Sequence, residues 1–206
     1  MKRGQILSLL VALPLLTASA WGVSLNGDPA AQISGNVLFQ EANHWTADIQ
    51  YAVYAPGTYA GSHPDAATQY IYAYQIFNHT GSLSTLSTLS VGLLEGADAV
   101  HVSSDATYGV LGGNSTLLAQ AFGAPPTSAV WAVSIPPGQS SQVLLFASDK
   151  PPIFNFATLK NGGLGDTHML PSPQGNAVIP EPLTLAALGL GCFPIAGRLR
   201  RRLTAA

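Results

Sequence analysis

The chain has 206 residues, a formal net charge of -2 and only 9% charged side chains, which bounds it to one domain with appended segments and excludes a charged helical bundle. Its basic residues are Lys2, Arg3, Arg198, Arg200, Arg201 and Arg202 at the ends, with only Lys150 and Lys160 between them. The stretch between carries Asp28, Glu41, Asp48, Asp65, Glu95, Asp98, Asp105, Asp149 and Asp166, an acidic balance that repels phosphate and excludes nucleic acid as a partner.

At the start, Met1-Lys2-Arg3 is basic, Ile6 to Leu16 is an apolar run, and Ala18-Ser19-Ala20 sets small residues where signal peptidase reads them. These features together predict a signal peptide over residues 1–20, with Ala18 and Ala20 as the peptidase site. An uncleaved anchor is the alternative. Export permits disulfides, but Cys192 is the only cysteine and lies in the apolar tail, so the exported domain contains no disulfide of its own.

Residues 21–170 predict one exported β-rich domain. Period-two alternation recurs, and no long stretch holds a helical period. In Tyr70 to Asn78, the residues Tyr70, Tyr72, Tyr74 and Ile76 share one face. Both faces of that strand are largely apolar, which predicts a central place in a sheet. Asn78-His79-Thr80-Gly81 supplies the turn that ends it.

Further strands are expected over Ile33 to Gln40, Trp45 to Tyr54, Leu86 to Leu94, Ala129 to Ile135, Gln142 to Ser148 and Ile153 to Leu159. Leu117 to Phe122 is expected to form a helical turn, and Pro136-Pro137-Gly138 a hairpin or tight connection. Seven or eight short strands separated by turn signals predict an all-β, β-sandwich-like single domain. It is flanked by the signal peptide and a short C-terminal transmembrane helix.

Residues 171–182 read as an extended proline-rich linker. It ends in Pro180-Glu181-Pro182, after which Leu183 to Gly197 is uncharged and Arg198, Arg200, Arg201 and Arg202 form a basic cluster. Fifteen residues of helix reach about 22 Å, a marginal span that snorkelling arginines would extend. The positive-inside rule keeps the arginines cytoplasmic and the domain outside, in agreement with the signal peptide.

This tail over residues 183–206, with its preceding motif, resembles that of the PEP-CTERM proteins: a Pro-Glu-Pro motif, a short hydrophobic helix and a terminal arginine cluster. Pro194 with Gly189, Gly191 and Gly197 departs from a regular helix interior. The resemblance implies two processing partners, signal peptidase and an exosortase-like membrane enzyme acting near Pro180, Glu181 and Pro182, in bacteria that make exopolysaccharide. An ordinary single-pass anchor after a proline-containing linker is the alternative. The order Tyr70-x-Tyr72-x-Tyr74-x-Ile76-x-Asn78, Trp131, Pro137-Gly138 and Leu170-Pro171-Ser172-Pro173 also resembles exported domains that precede such tails; this implies a fold class and no activity.

Few side chains fall into a pattern that carries chemistry. His44, His63, His79, His101 and His168 form no zinc-binding spacing, and no G-x-S-x-G is present. Asp98, Ser103, Ser104 and Asp105 offer oxygens for calcium but lack EF-hand spacing, and a solvated turn explains them equally well. Trp45, Trp131, Tyr51, Tyr54, Tyr59, Tyr70, Tyr72 and Tyr74 fit either a sugar-stacking platform or a sandwich core, and core packing is favoured. The chain is expected to hold no cofactor, no metal and no catalytic residue. The function expected is a non-enzymatic, structural or interaction protein: anchored in the membrane by its tail, then processed to the cell surface or exterior. The alternative is an extracellular carbohydrate-binding or carbohydrate-acting domain.

Overall fold

The computed structural model describes residues 23–176. The expected signal peptide, the Pro180-Glu181-Pro182 motif, the C-terminal helix and the arginine cluster lie outside the described residues.

Ten strands follow in chain order: β1 (Ile33–Glu41), β2 (Trp45–Tyr54), β3 (Tyr70–Asn78), β4 (Leu86–Gly92), β5 (Val100–Asp105), β6 (Leu118–Gly123), β7 (Pro126–Ile135), β8 (Val143–Ser148), β9 (Pro152–Lys160) and β10 (Gly165–Pro173). No helix forms among the described residues. The first sheet has the order β1-β2-β3-β8-β5 and the second β10-β9-β4-β7-β6, with antiparallel neighbours throughout. The fold is all-β and sandwich-like.

Alternation decides which side chains meet between the sheets. Along β2, Trp45, Ala47, Ile49 and Tyr51 are buried while Thr46, Asp48 and Gln50 are half-exposed. They join one apolar cluster with Tyr72, Tyr74 and Phe146 from the first sheet and Leu89, Trp131, Val133 and Leu159 from the second. Trp131 anchors it: its ring centroid lies 5.8 Å from that of Tyr74, and its indole N–H donates to the Ser103 carbonyl at 2.9 Å. Gly35 leaves room for Tyr51 opposite it, because a Cβ there would collide with the tyrosine hydroxyl.

As its two apolar faces predict, β3 is the middle strand of the first sheet. Its other face, with that of β8, is covered by a second cluster that includes Leu25, Tyr54, Tyr59, Ile71, Val143 and Leu145. The N-terminal segment and the loops after β2 and β5 supply that cover. The second sheet has no such layer among the described residues, and Thr88, Ser90, Val130, Ala132, Phe156, Thr158, Thr167 and Met169 on its outer side are all half-exposed or exposed.

Two expectations need correction, and a third is narrowed. Leu117 to Phe122 is largely strand β6, because pairing with β7 takes up its backbone groups while Ala119 and Ala121 pack against the core. Of the two forms expected for Pro136-Pro137-Gly138, the tight connection is the one that forms, since β7 and β8 lie in different sheets. It is a turn closed by the Gln139 N–H on the Pro136 carbonyl at 3.1 Å, and Gly138 supplies the left-handed φ of 77° that a type II turn requires. The linker does not begin at Pro171. Pro171, Ser172 and Pro173 are buried in β10, an edge strand where a missing N–H is tolerated, and the Tyr74 hydroxyl donates to the Pro171 carbonyl. Beyond β10, Gln174 N–H donates to the Pro151 carbonyl at 2.9 Å and Asn176 N–H to the Glu95 carbonyl at 2.7 Å, so the chain is held through Asn176.

Candidate functional site

Over the first sheet, two buried aspartates and three tyrosines form a polar network. Asp28 follows the turn that brings Leu25 onto the sheet. Its carboxylate accepts from the Tyr54 hydroxyl at 2.7 Å, the Tyr108 hydroxyl at 2.6 Å and the Ala30 N–H at 2.9 Å. Asp105 ends β5 and accepts from the Tyr59 hydroxyl at 2.9 Å, the Ser62 N–H at 2.8 Å, and the Thr107 N–H and hydroxyl at 2.7 and 2.6 Å. The three rings pack together, with centroids 4.9 to 5.9 Å apart.

The electrostatics follow from these bonds. Burial pushes the Asp28 carboxyl up, but the hydrogen bonds from Tyr108, Ala30 and Tyr54 outweigh it and hold the group below the usual carboxylate range. At Asp105 burial again opposes, and the bonds from Thr107, Ser62 and Tyr59 prevail. The phenols move the other way. Burial and the neighbouring carboxylates raise Tyr54 and Tyr59 far above the ordinary value and push Tyr108 up to about 12. Each carboxylate is satisfied by groups of the chain itself, so the network is suited to fastening the covering loops rather than to proton transfer.

The histidines are more ordered than a scatter of loop residues. Asp65 lies between His63 and His101: its Oδ2 is 2.5 Å from His101 Nδ1 and 3.9 Å from His63 Nδ1. The His63 side chain is fully enclosed, with Nε2 placed to donate to the His101 carbonyl at 3.1 Å and Nδ1 to accept the Asp65 N–H at 3.3 Å. His101 has a left-handed φ of 48° where the β5–β8 register shifts. On the surface, His79 pairs with Asp48 at 2.8 Å and His168 with Asp166 at 2.9 Å. A carboxylate-oriented imidazole such as His101 can accept a proton. No nucleophile makes a hydrogen bond to its exposed nitrogen among the described residues.

The calcium arrangement does not assemble. Ser103, Ser104 and Asp105 lie in a strand instead of a solvated turn, Asp105 is buried, and Asp98 accepts from the Ser148 hydroxyl at 2.6 Å. The aromatic residues are core: Trp45, Trp131, Tyr51, Tyr54, Tyr59, Tyr72 and Tyr74 are buried, leaving Tyr70 half-buried. No group of three or more potential metal-ligating side chains converges among the described residues. Ala18, Ala20, Pro180, Glu181, Pro182, Arg198, Arg200, Arg201 and Arg202 fall outside residues 23–176. The chain matches no protein-family model, no curated protein and no solved structure.

Proposed function

We propose that this chain is an exported cell-envelope or extracellular-matrix protein of structural and interaction type, sorted through its C-terminal tail and processed near Pro180-Glu181-Pro182. The observation that carries this reading is the order of that motif, the uncharged run Leu183 to Gly197 and the arginine cluster, behind a chain that opens with an export signal. Its partners are then signal peptidase and an exosortase-like membrane enzyme, with exopolysaccharide as the surrounding matrix.

The folded domain supports the reading in two ways. Its most distinctive polar cluster, around Asp28 and Asp105, is saturated by internal hydrogen bonds, which suits a durable scaffold. The described chain is still hydrogen-bonded to the domain at Asn176, and the motif begins only four positions later in the sequence. A carbohydrate platform is the weaker reading, because the aromatic side chains that motivated it are in the core.

Fractionation of host cells producing the chain with and without residues 177–206 tests the proposal. The complete chain is expected in the envelope or outside the cell, with the shortened form distributed differently. Identical locations for the two would refute tail-directed sorting.

A further inference from the structure

The last of the described residues are tied to an end of the second sheet that carries exposed apolar side chains. β4, β6 and β10 end, and β7 and β9 begin, at one edge of the second sheet, as the pairs Gly92↔Ser128, Gly123↔Pro126 and Pro173↔Pro152 define. At that edge Asn176 is tied to Glu95 and Gln174 to Pro151. On the exit half of this sheet Leu94, Phe122, Ile153, Phe154, Phe156 and Met169 are exposed, with Phe156 at 65%. Phe156 stands directly opposite Met169 across the β9–β10 pair. Farther along the outer side of β4, β9 and β10 the side chains become Thr88, Ser90, Thr158 and Thr167, with Thr158 and Thr167 hydrogen-bonding each other, while Val130, Ala132 and the exposed Leu118 continue on β7 and β6. Along β9 and β10 the apolar character therefore gathers at the end where Asn176 is tied.

We propose that, while the tail is inserted, this end of the second sheet rests on the lipid bilayer, with Phe122, Ile153 and Phe156 in the headgroup region. The inference depends on the tail-anchored form described above. Between Asn176 and Leu183 lie only Ala177 to Pro182, six residues that extend over about 20 Å. Whenever Leu183 to Gly197 is in the membrane, the exit edge is held within that distance of the lipid. The occupant nearest to hand is thus the bilayer rather than a second copy of the chain. Charge gives the mode of contact: Glu95 and Asp149 outnumber Lys150 at this edge, so apolar insertion and not attraction to anionic headgroups drives docking. Docking of this kind is insensitive to salt.

The test uses tail-bearing protein, made in a host without the processing enzyme and reconstituted into phosphatidylethanolamine–phosphatidylglycerol vesicles. An environment-sensitive fluorophore is attached at native Cys192, or, in a Cys192→Ser background, at Phe156→Cys or at Leu83→Cys. Leu83 is 80% exposed and lies in the connection between β3 and β4, at the opposite end of the strands. Lipids brominated near the glycerol backbone are expected to quench the label at position 156 severalfold more than that at 83, at both low and high salt. Ile153→Asp together with Phe122→Asp should abolish the difference. If the Cys192 label is quenched while positions 156 and 83 are equally unquenched, the tail inserts and docking is refuted. An unquenched label at Cys192 overturns tail insertion and docking together. A protected label at 156 that persists in detergent in a sedimenting dimer assigns the surface to a second copy and also refutes docking.

Discussion

Asp28 and Tyr54 are joined by a 2.7 Å hydrogen bond across 26 residues of sequence, and Tyr108 donates to the same carboxylate oxygen from a third segment. One carboxylate thereby fastens the N-terminal segment, β2 and the loop after β5. Tyr54→Phe removes a bond to a charged acceptor in a buried setting and is expected to cost about 1.5–3 kcal/mol in urea unfolding. Tyr108→Phe should cost less because its side chain is half-exposed. The double variant should depart from additivity, since both hydroxyls serve one carboxylate. Strict additivity would show that the two bonds do not act as a unit.

Stability should fall at both ends of the pH scale, and the signs follow from the network. Asp28 and Asp105 are depressed in the folded state, so below about pH 4 the unfolded chain binds more protons there. Their contribution is present above the unfolded value and is lost as pH falls through the folded one. Tyr54, Tyr59, Tyr72, Tyr74 and Tyr108 are raised, chiefly by burial. Their contribution is complete below about pH 10 and is lost as pH rises, because the unfolded chain releases those protons first. Phenolate absorbance during an alkaline titration should therefore gain a cooperative step coincident with loss of near-ultraviolet circular dichroism. A gradual rise near pH 10 from all tyrosines, with the fold intact, would contradict the burial described.

Trp131 is fully buried between the sheets, and its N–H is bonded to Ser103. Trp131→Ala removes a large aromatic side chain from the centre of the core and should cost about 3–5 kcal/mol. Trp131→Phe keeps much of the volume and should cost less, with the Ser103 carbonyl left without that donor. Chemical denaturation of the two variants checks the order.

The strands that could be read from the sequence are those whose alternation is uninterrupted. β2 and β3 pair without a register shift and send successive side chains to opposite faces, and their bounds match the expected Trp45 to Tyr54 and Tyr70 to Asn78. β5 was hidden because its pairing with β8 shifts register between Val100 and Ser103, which breaks the pattern around His101. β10 was hidden behind Pro171 and Pro173, which signal a linker unless an edge position is known. The polar network was half legible. Asp28 and Asp105 each close a local turn onto the N–H two residues on, a pattern readable from neighbouring residues. Their tyrosine partners are 26, 46 and 80 positions away, and only the sheet topology brings them together.

Export followed by removal of the tail can be read from the intact mass of the protein recovered from its native host, tagged between the signal peptide and the domain. The expected product is a mature species in the envelope or medium that lacks Met1 to Ala20 and has lost Leu183 to Ala206. A chain that keeps both ends and stays in the cytoplasm would contradict it, and one that keeps its tail in the membrane would reduce the tail to a plain anchor.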